Sequence, residues 1–352
     1  MTGKSKSTPG NFFEDFHVGR EFRHATPRTL TEADAALNIG LFGSRFALNS
    51  SDEFARRLGL PRAPIDDLMV FHVVIGKTVA DISANAVANL GYAEFRWGAA
   101  VYPGDTLSVR STVLGLRENS NRESGVVWVR TVGSNQKGEM VLDYVRWVMV
   151  RKRDSSAAVQ PASVPKTALA VAPGALIVPA GLDASKYDDV ASGSPHRWGD
   201  YEVGEKIDHV SGYTLEDSDH MFSTRLTQNT ARVHFEAHTA KGTRFGRRLA
   251  YGGHIISYAR ALSFNGLANG FRVAAFNAGS HVGPSFGGDT IYAWSEVLEK
   301  AVLPGRDDVG ALRVRTVAAK DCTCESFPGK GPDGKYHPAV VLDLDYWLLM
   351  PR

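Results

Sequence analysis

Phe13-Glu14-Asp15-Phe16-His17-Val18-Gly19 returns later in the chain as Trp198-Gly199-Asp200-Tyr201-Glu202-Val203-Gly204, so that Gly19 matches Gly204 at an offset of 185 residues. The offset persists: His24 maps onto His209, Thr29 onto Thr214, Asp34 onto Asp219 and Leu41 onto Leu226. Further on, Tyr102-Pro103-Gly104-Asp105-Thr106-Leu107 returns as Phe286-Gly287-Gly288-Asp289-Thr290-Ile291, and Leu142-Asp143-Tyr144-Val145-Arg146-Trp147 is echoed by Leu342-Asp343-Leu344-Asp345-Tyr346-Trp347. Several matches in one order mark an internal duplication. Read this way, the chain has an N-terminal unit over 12–153, a linker over 154–196 and a C-terminal unit over 197–352. The linker is rich in Ala, Ser, Pro and Gly, and is expected to run along the surface between the units.

Each unit repeats one order of elements. A turn at the Asp-x-x-Val-Gly motif leads to a helix opened by a hydroxyl and first-turn carboxylates, Thr31-Glu32-Ala33-Asp34 in one copy and Thr214-Leu215-Glu216-Asp217 in the other. Longer apolar helices are expected over 68–86 and 253–267. Alternating segments follow over 93–101, 106–116, 126–134 and 141–151; the period near two from Leu107 to Val113 reads as a half-buried strand. A helix followed by a run of antiparallel strands is an α+β layout, and pairing the two sheets edge to edge would cover an exposed edge of each.

Composition narrows the function. With 40 Lys and Arg against 38 Asp and Glu, interspersed along the chain, the net charge of +2 gives no ground for a nucleic acid or a membrane surface as partner. No stretch approaches the roughly 18 apolar residues of a membrane span, and the polar segment 1–11 lacks the apolar run of a signal peptide. A soluble, cytoplasmic protein is expected. The two cysteines, Cys322 and Cys324, are too close for an unstrained mutual disulfide and read as free thiols of a reducing compartment. Neither a metal-binding Cys/His cluster nor a phosphate-cradling glycine loop is present, so no metal and no cofactor is expected.

This order of elements resembles the hot-dog fold of MaoC-like, R-specific enoyl-CoA hydratases, with two hot-dog units over nearly the whole chain. That family carries Gly-Asp-x-Asn-Pro-x-His, in which Asp and His are the catalytic pair, and a helix start whose backbone N–H polarises the thioester carbonyl. In the first unit Gly43-Ser44-Arg45-Phe46-Ala47-Leu48-Asn49 puts Ser44 and Asn49 at the two catalytic positions, and neither is a base near neutral pH. Its helix start, Pro64-Ile65-Asp66-Asp67-Leu68-Met69, has Leu68 in place of glycine. The resemblance implies a degenerate, non-catalytic first unit that makes room for the acyl group. In the second unit Gln228-Asn229-Thr230-Ala231-Arg232-Val233-His234 keeps the histidine as His234 and has Asn229 where the family has Asp, and Ala250-Tyr251-Gly252-Gly253-His254 keeps Gly253 at the helix start. The Asn-x-x-Arg-x-His pattern is similar to a narrower branch, the tandem hot-dog hydratases of branched C5-dicarboxylic CoA thioesters such as mesaconyl-CoA.

The resemblance implies a hydro-lyase acting on an acyl-CoA thioester. His234, with an ordinary imidazole pKa near 6.5, takes the proton of water. Asn229 orients that water, and the Gly253 N–H at a helix N-terminus meets the developing oxyanion. Arg232, planar and bidentate, is the candidate partner for the free carboxylate of the substrate. Arg225, Arg45 and Arg244 are further candidates for the carboxylate or the CoA phosphates. A lone histidine or arginine is more often structural or exposed, and His24 and His209 are read as structural because both units carry them. Two other readings remain. An R-specific hydratase for monocarboxylic enoyl-CoA thioesters would favour an intact Asp in the motif. A non-catalytic acyl-CoA-binding protein is favoured by Asn229 and opposed by His234. A homodimer is expected, since such sheets commonly meet across two-fold axes.

Overall fold

From Leu107 to Val113 every second residue is buried, the period of a strand with one face on the core. In the computed structural model, which describes residues 6–352, this segment belongs to one of ten strands in a single antiparallel sheet; residues 1–5 of the polar start lie outside the described residues. The strands are β1 (Glu21–Thr29), β2 (Ala86–Trp97), β3 (Thr106–Glu118), β4 (Ser124–Ser134), β5 (Met140–Arg151), β6 (Lys206–Thr214), β7 (Arg272–His281), β8 (Thr290–Val302), β9 (Val309–Lys320) and β10 (Val340–Pro351). Their spatial order is β1-β3-β4-β5-β2-β7-β10-β9-β8-β6, so the two ends of the sheet run inward in the same sequence. The halves join where β2 pairs with β7 through Phe95 opposite Phe276 and Arg96 opposite Ala275.

Four helices matter to the site: α1 (Glu32–Phe42), α2 (Asp67–Thr78), α3 (Asp217–Leu226) and α4 (Gly252–Leu262). Every residue of α2 from Leu68 on, and of α4 from Gly253 on, is buried. Helices apolar and covered all round belong to the core. Here α2 packs against β1, β3 and β5, and α4 against β6, β8 and β9, within one hydrophobic cluster that spans both halves. Phe71, Phe95 and Phe276 close the seam with ring centroids 4.9–6.0 Å apart.

Three boundaries differ from the sequence expectation. Thr31 does cap α1, in a reciprocal box with Asp34. Thr214 instead closes β6 and bonds Thr290 across the ladder at 2.9 Å, as Thr29 bonds Thr106 at 2.7 Å, and α3 opens after Glu216. The first long helix leaves α geometry after Thr78 and ends at Ser83; Ala86 already pairs with Val150, so the ladder overrides the helix preference of the alanines. The second ends at Leu262, because Asn265 and Gly266 (φ 106°) take non-helical angles before Leu267.

Residues 154–196 carry only short turns. Ser163 bridges to Leu116 on β3, Val171 bonds Asn277 on β7 and Trp347 on β10, and Tyr187 packs on Phe54. No helix among the described residues is long and apolar enough to cross a membrane.

Candidate active site

After α3, Gln228 adopts a left-handed backbone (φ 55°) and turns the chain into the segment that carries Asn229 and His234. Asn229 is 5% exposed. Its Oδ1 accepts the Ala231 N–H at 3.0 Å, the local turn that Asn favours. With Oδ1 engaged, the amide nitrogen has no partner among the described residues and is what Asn229 offers to the cleft it lines.

His234 ends a one-turn 3-10 segment, Arg232–His234. The Leu249 N–H donates to Val233 O at 3.1 Å, and the Leu249 carbonyl lies 2.9 Å from His234 Nδ1. A carbonyl only accepts, so Nδ1 carries the proton and Nε2 the lone pair. Burial pushes the His234 pKa down to about 4, with the Leu249 carbonyl pulling it partly back. His234 is therefore a neutral imidazole of defined tautomer at neutral pH, where the sequence led us to expect one only part neutral, with an ordinary pKa near 6.5.

Its surroundings are aromatic and imidazole-rich. The His220 ring stands perpendicular at 6.1 Å and the Tyr251 ring lies at 5.5 Å. Burial, then the neighbouring His234, lowers His220 to about 4. Ser223 gives its hydroxyl proton to the His220 carbonyl at 2.8 Å, so it accepts from His254 Nδ1 at 3.0 Å. His72 of α2 crosses the seam to Ser257 Oγ (2.7 Å) and the Tyr251 hydroxyl (3.4 Å). The sequence left His220 and His254 without roles. His24 and His209 each lie buried between a sheet serine and a helix-side acceptor.

Tyr251 precedes α4, and Gly252 and Gly253 are its first two residues. Their N–H groups have no acceptor among the described residues, and they lie at the positive end of the helix. A Cβ on Gly252 would stand 2.4 Å from the His281 ring, and one on Gly253 would stand 2.5 Å from the Tyr251 ring and 2.7 Å from His72. Glycine is what the space allows at both positions.

A cleft of about 640 Å³ opens between the halves, lined by Thr26, Gly76 and Lys77 from the first and by Arg225, Gln228 and Asn229 from the second. Gly76 touches the Asn229 loop so closely that a Cβ would meet Thr227 O at 2.2 Å. The structure brings Asn229 and Arg225 to this cleft and sets His234 and Gly253 around Tyr251. The Arg232 side chain is 74% exposed, with Glu236 at 3.9 Å. Arg45 lies elsewhere, 4.3 Å over the Phe264 ring beyond the far end of α4. Its loop is the first-half counterpart of 228–234 and packs on the end of α4, as 228–229 packs on the end of α2. In that first half Asn49 gives its amide to the Pro64 carbonyl, and the Asp66 carboxylate accepts the Leu68 and Met69 N–H groups at the helix start. Lys77 went unremarked in the sequence, although it is the one lysine or arginine in α2.

Two buried helices held by one antiparallel sheet, with a histidine loop beside a diglycine helix start, define a MaoC-type double hot-dog protein. The family model for mesaconyl-CoA hydratase matches residues 3–330. A β-methylmalyl-CoA dehydratase of Chloroflexus aurantiacus is 61% identical over 99% of both chains, and a mesaconyl-CoA hydratase of Cereibacter sphaeroides is 60% identical over 99% of this chain and all of the relative. The chain belongs to the mesaconyl-CoA hydratase family. A crystal structure of a MaoC domain dehydratase from Chloroflexus aurantiacus superposes with a TM-score of 0.97 at 60% identity over 99% of both chains. A double hot-dog protein of Mycobacterium tuberculosis superposes at 0.76 with 25% identity, over 98% of this chain and 99% of its own.

Proposed function

We propose that this chain catalyses the reversible hydration of mesaconyl-CoA to β-methylmalyl-CoA, with His234 as the base. The observation that carries the proposal is the neutral His234, whose tautomer is set by Leu249, close to a helix start with unpaired N–H groups. In mesaconyl-CoA the double bond is conjugated with the thioester, and the carbon that takes the hydroxyl also bears the free carboxylate. His234 Nε2 removes a proton from water as the water oxygen bonds to that carbon. The π electrons move onto the thioester oxygen, where the Gly253 N–H, with Gly252 beside it, stabilises the charge; such preorganised donors are worth about 10²–10³ in rate. The imidazolium then returns the proton to the α-carbon as the carbonyl re-forms. One proton is taken and one given back, so a single imidazole suffices, and the Asn229 amide nitrogen orients the water.

The exposed Arg225 at the cleft mouth, and Arg244 and Arg247 on the segment leading to Leu249, are suited to the CoA phosphates. A cytoplasmic homodimer completes the reading: both cysteines are free, and β1 and β6 leave two sheet edges. Light scattering on the purified protein tests the dimer. For the activity, loss of enoyl-thioester absorbance from mesaconyl-CoA is followed with wild type and His234→Ala. Turnover by the wild type that the variant abolishes supports the proposal; equal turnover by both refutes it.

A further inference from the structure

Lys77 lies near the end of α2, 5% exposed. Its ammonium reaches two neutral oxygens, Thr26 Oγ1 at 3.4 Å and Gln228 Oε1. Among the described residues no carboxylate pairs with it, and no acidic side chain lines the cleft that it shares with Arg225, Gln228 and Asn229. Its charged neighbour is Arg28, which is engaged by Asp34 and the Leu226 carbonyl. Burial, and then Arg28, hold the Lys77 pKa below the usual lysine value. A lysine this deeply buried ordinarily has an anionic partner. An ammonium has three donors; Thr26 and Gln228 take two.

The second half shows that packing does not require a cation here. At the offset of 185 residues Lys77 corresponds to Leu262, buried at the end of α4. That half does bury a cation two residues earlier, Arg260, but Arg260 feels the two carboxylates at the first-half helix start, Asp66 and Asp67. The corresponding helix start over the active cleft is Tyr251-Gly252, which offers no charge.

We infer that Lys77, supplied by the non-catalytic half, is the residue that recognises the free carboxylate of a dicarboxylic acyl-CoA. The inference rests on the hydratase reading and names the specificity determinant of the same site. The carboxylate sits on the carbon that water attacks. With that carbon facing Asn229, the carboxylate lies one bond further into the cleft, toward Gln228 and the third donor of Lys77. Arg232, solvent-facing, does not take this role.

The test uses two unreactive saturated thioesters and isothermal titration calorimetry on the full-length protein. One is 2-methylsuccinyl-CoA with the thioester on the methyl-bearing side; the other is 2-methylbutyryl-CoA, in which a methyl replaces the carboxylate. Lys77→Gln is expected to weaken the first about tenfold to a hundredfold, the range of a lost charge-assisted hydrogen bond, and the second by less than about threefold. Gln228→Glu, which gives Lys77 an internal carboxylate without removing its packing, should reproduce the selective loss. Equal weakening of both ligands, no weakening, or a selective loss in Arg232→Ala instead would overturn the assignment. A wild type that does not turn over mesaconyl-CoA would count against the hydratase reading, while the binding preference would still report on Lys77.

Discussion

The pH dependence of hydration reads the burial and tautomer of His234 directly. Desolvation takes its pKa from 6.5 to about 4, which corresponds to about 3 kcal/mol against the imidazolium. The free enzyme therefore holds a neutral imidazole throughout the neutral range. Since kcat/KM reports the free enzyme, kcat/KM for mesaconyl-CoA should be level from about pH 8 down to about pH 5. Binding brings the negative acyl carboxylate close to Nε2 and favours the imidazolium, so the acid limb of kcat, which reports the complex, should lie at higher pH than that of kcat/KM. His234→Gln keeps an amide that can still reach the Leu249 carbonyl but removes the base, and should cost about 10²–10⁴ in kcat. Initial rates of enoyl-thioester loss, with far-UV circular dichroism at each pH, measure all three. A kcat/KM limb centred near 6.5, coincident limbs, or more than about a tenth of the activity left in His234→Gln would refute the reasoning. The decisive window is pH 5–7, so the folded state need not survive at pH 4.

Stability should fall on acidification. His72, His209, His220 and His254 are buried, with pKa values lowered to about 3, about 4, about 4 and well below normal. Their stabilisation is present above the unfolded value of about 6.5 and is lost as pH falls toward the folded values. At pH 5.5 they alone would give an uptake of three to four protons on unfolding, but Asp66 and Asp67, both raised by burial (Asp67 to about 7), oppose this. His234, also lowered to about 4, adds to the uptake, so five imidazoles outweigh two carboxylates and stability falls as pH drops; urea midpoints that do not fall between pH 7 and 5.5 would contradict it. Gly76→Ala should cost about 1–3 kcal/mol and most of the turnover, because its Cβ meets Thr227 O; thermal melts and rates report both. Asn229→Asp can keep the bond to the Ala231 N–H, yet its charge about 6 Å from a substrate carboxylate costs about 2–3 kcal/mol at an effective dielectric of 20. Its kcat/KM should fall about thirtyfold to 150-fold for mesaconyl-CoA, and less for tiglyl-CoA, which has methyl for carboxylate.

The features legible in the sequence were those that depend on local geometry. Gly19 and Gly204 (φ 82° and 91°), and Gly104 and Gly288 (φ 103° and 95°), recur because the backbone at each turn enters a region that side chains avoid. His234 was picked out by its place in the family's motif, five residues after Asn229. Its tautomer and depressed pKa were not, because they depend on Leu249, fifteen residues on, and on burial. Arg232 was named for its proximity to His234; in a 3-10 turn residues two apart face different sides, and its side chain stands in solvent. Lys77 was hidden for the opposite reason. Gln228 is 151 residues away in the chain, and they meet because Gly76 lets α2 press against the second-half loop.

The charges in the two halves account for what each can bind. In the first half the helix start carries Asp66 and Asp67, whose nearby cations are Arg260 and Arg272, so positive charge there is already answered from within the protein. In the second half the helix start is Tyr251-Gly252-Gly253, and the motif carries Asn229 where the wider family has Asp. Both differences remove a negative charge from a region that must hold a carboxylate and a developing enolate together. Lys77 is then left as a buried positive charge without a carboxylate partner among the described residues. An Asp at position 229 would pair with that ammonium or repel the substrate carboxylate, and either outcome would blunt selection for a dicarboxylic acyl group. On the proposed mechanism the asparagine that weakens an acid–base pair is the residue that makes a charged acyl group tolerable, and a single base of defined tautomer, the role assigned to His234, is what the chemistry then requires.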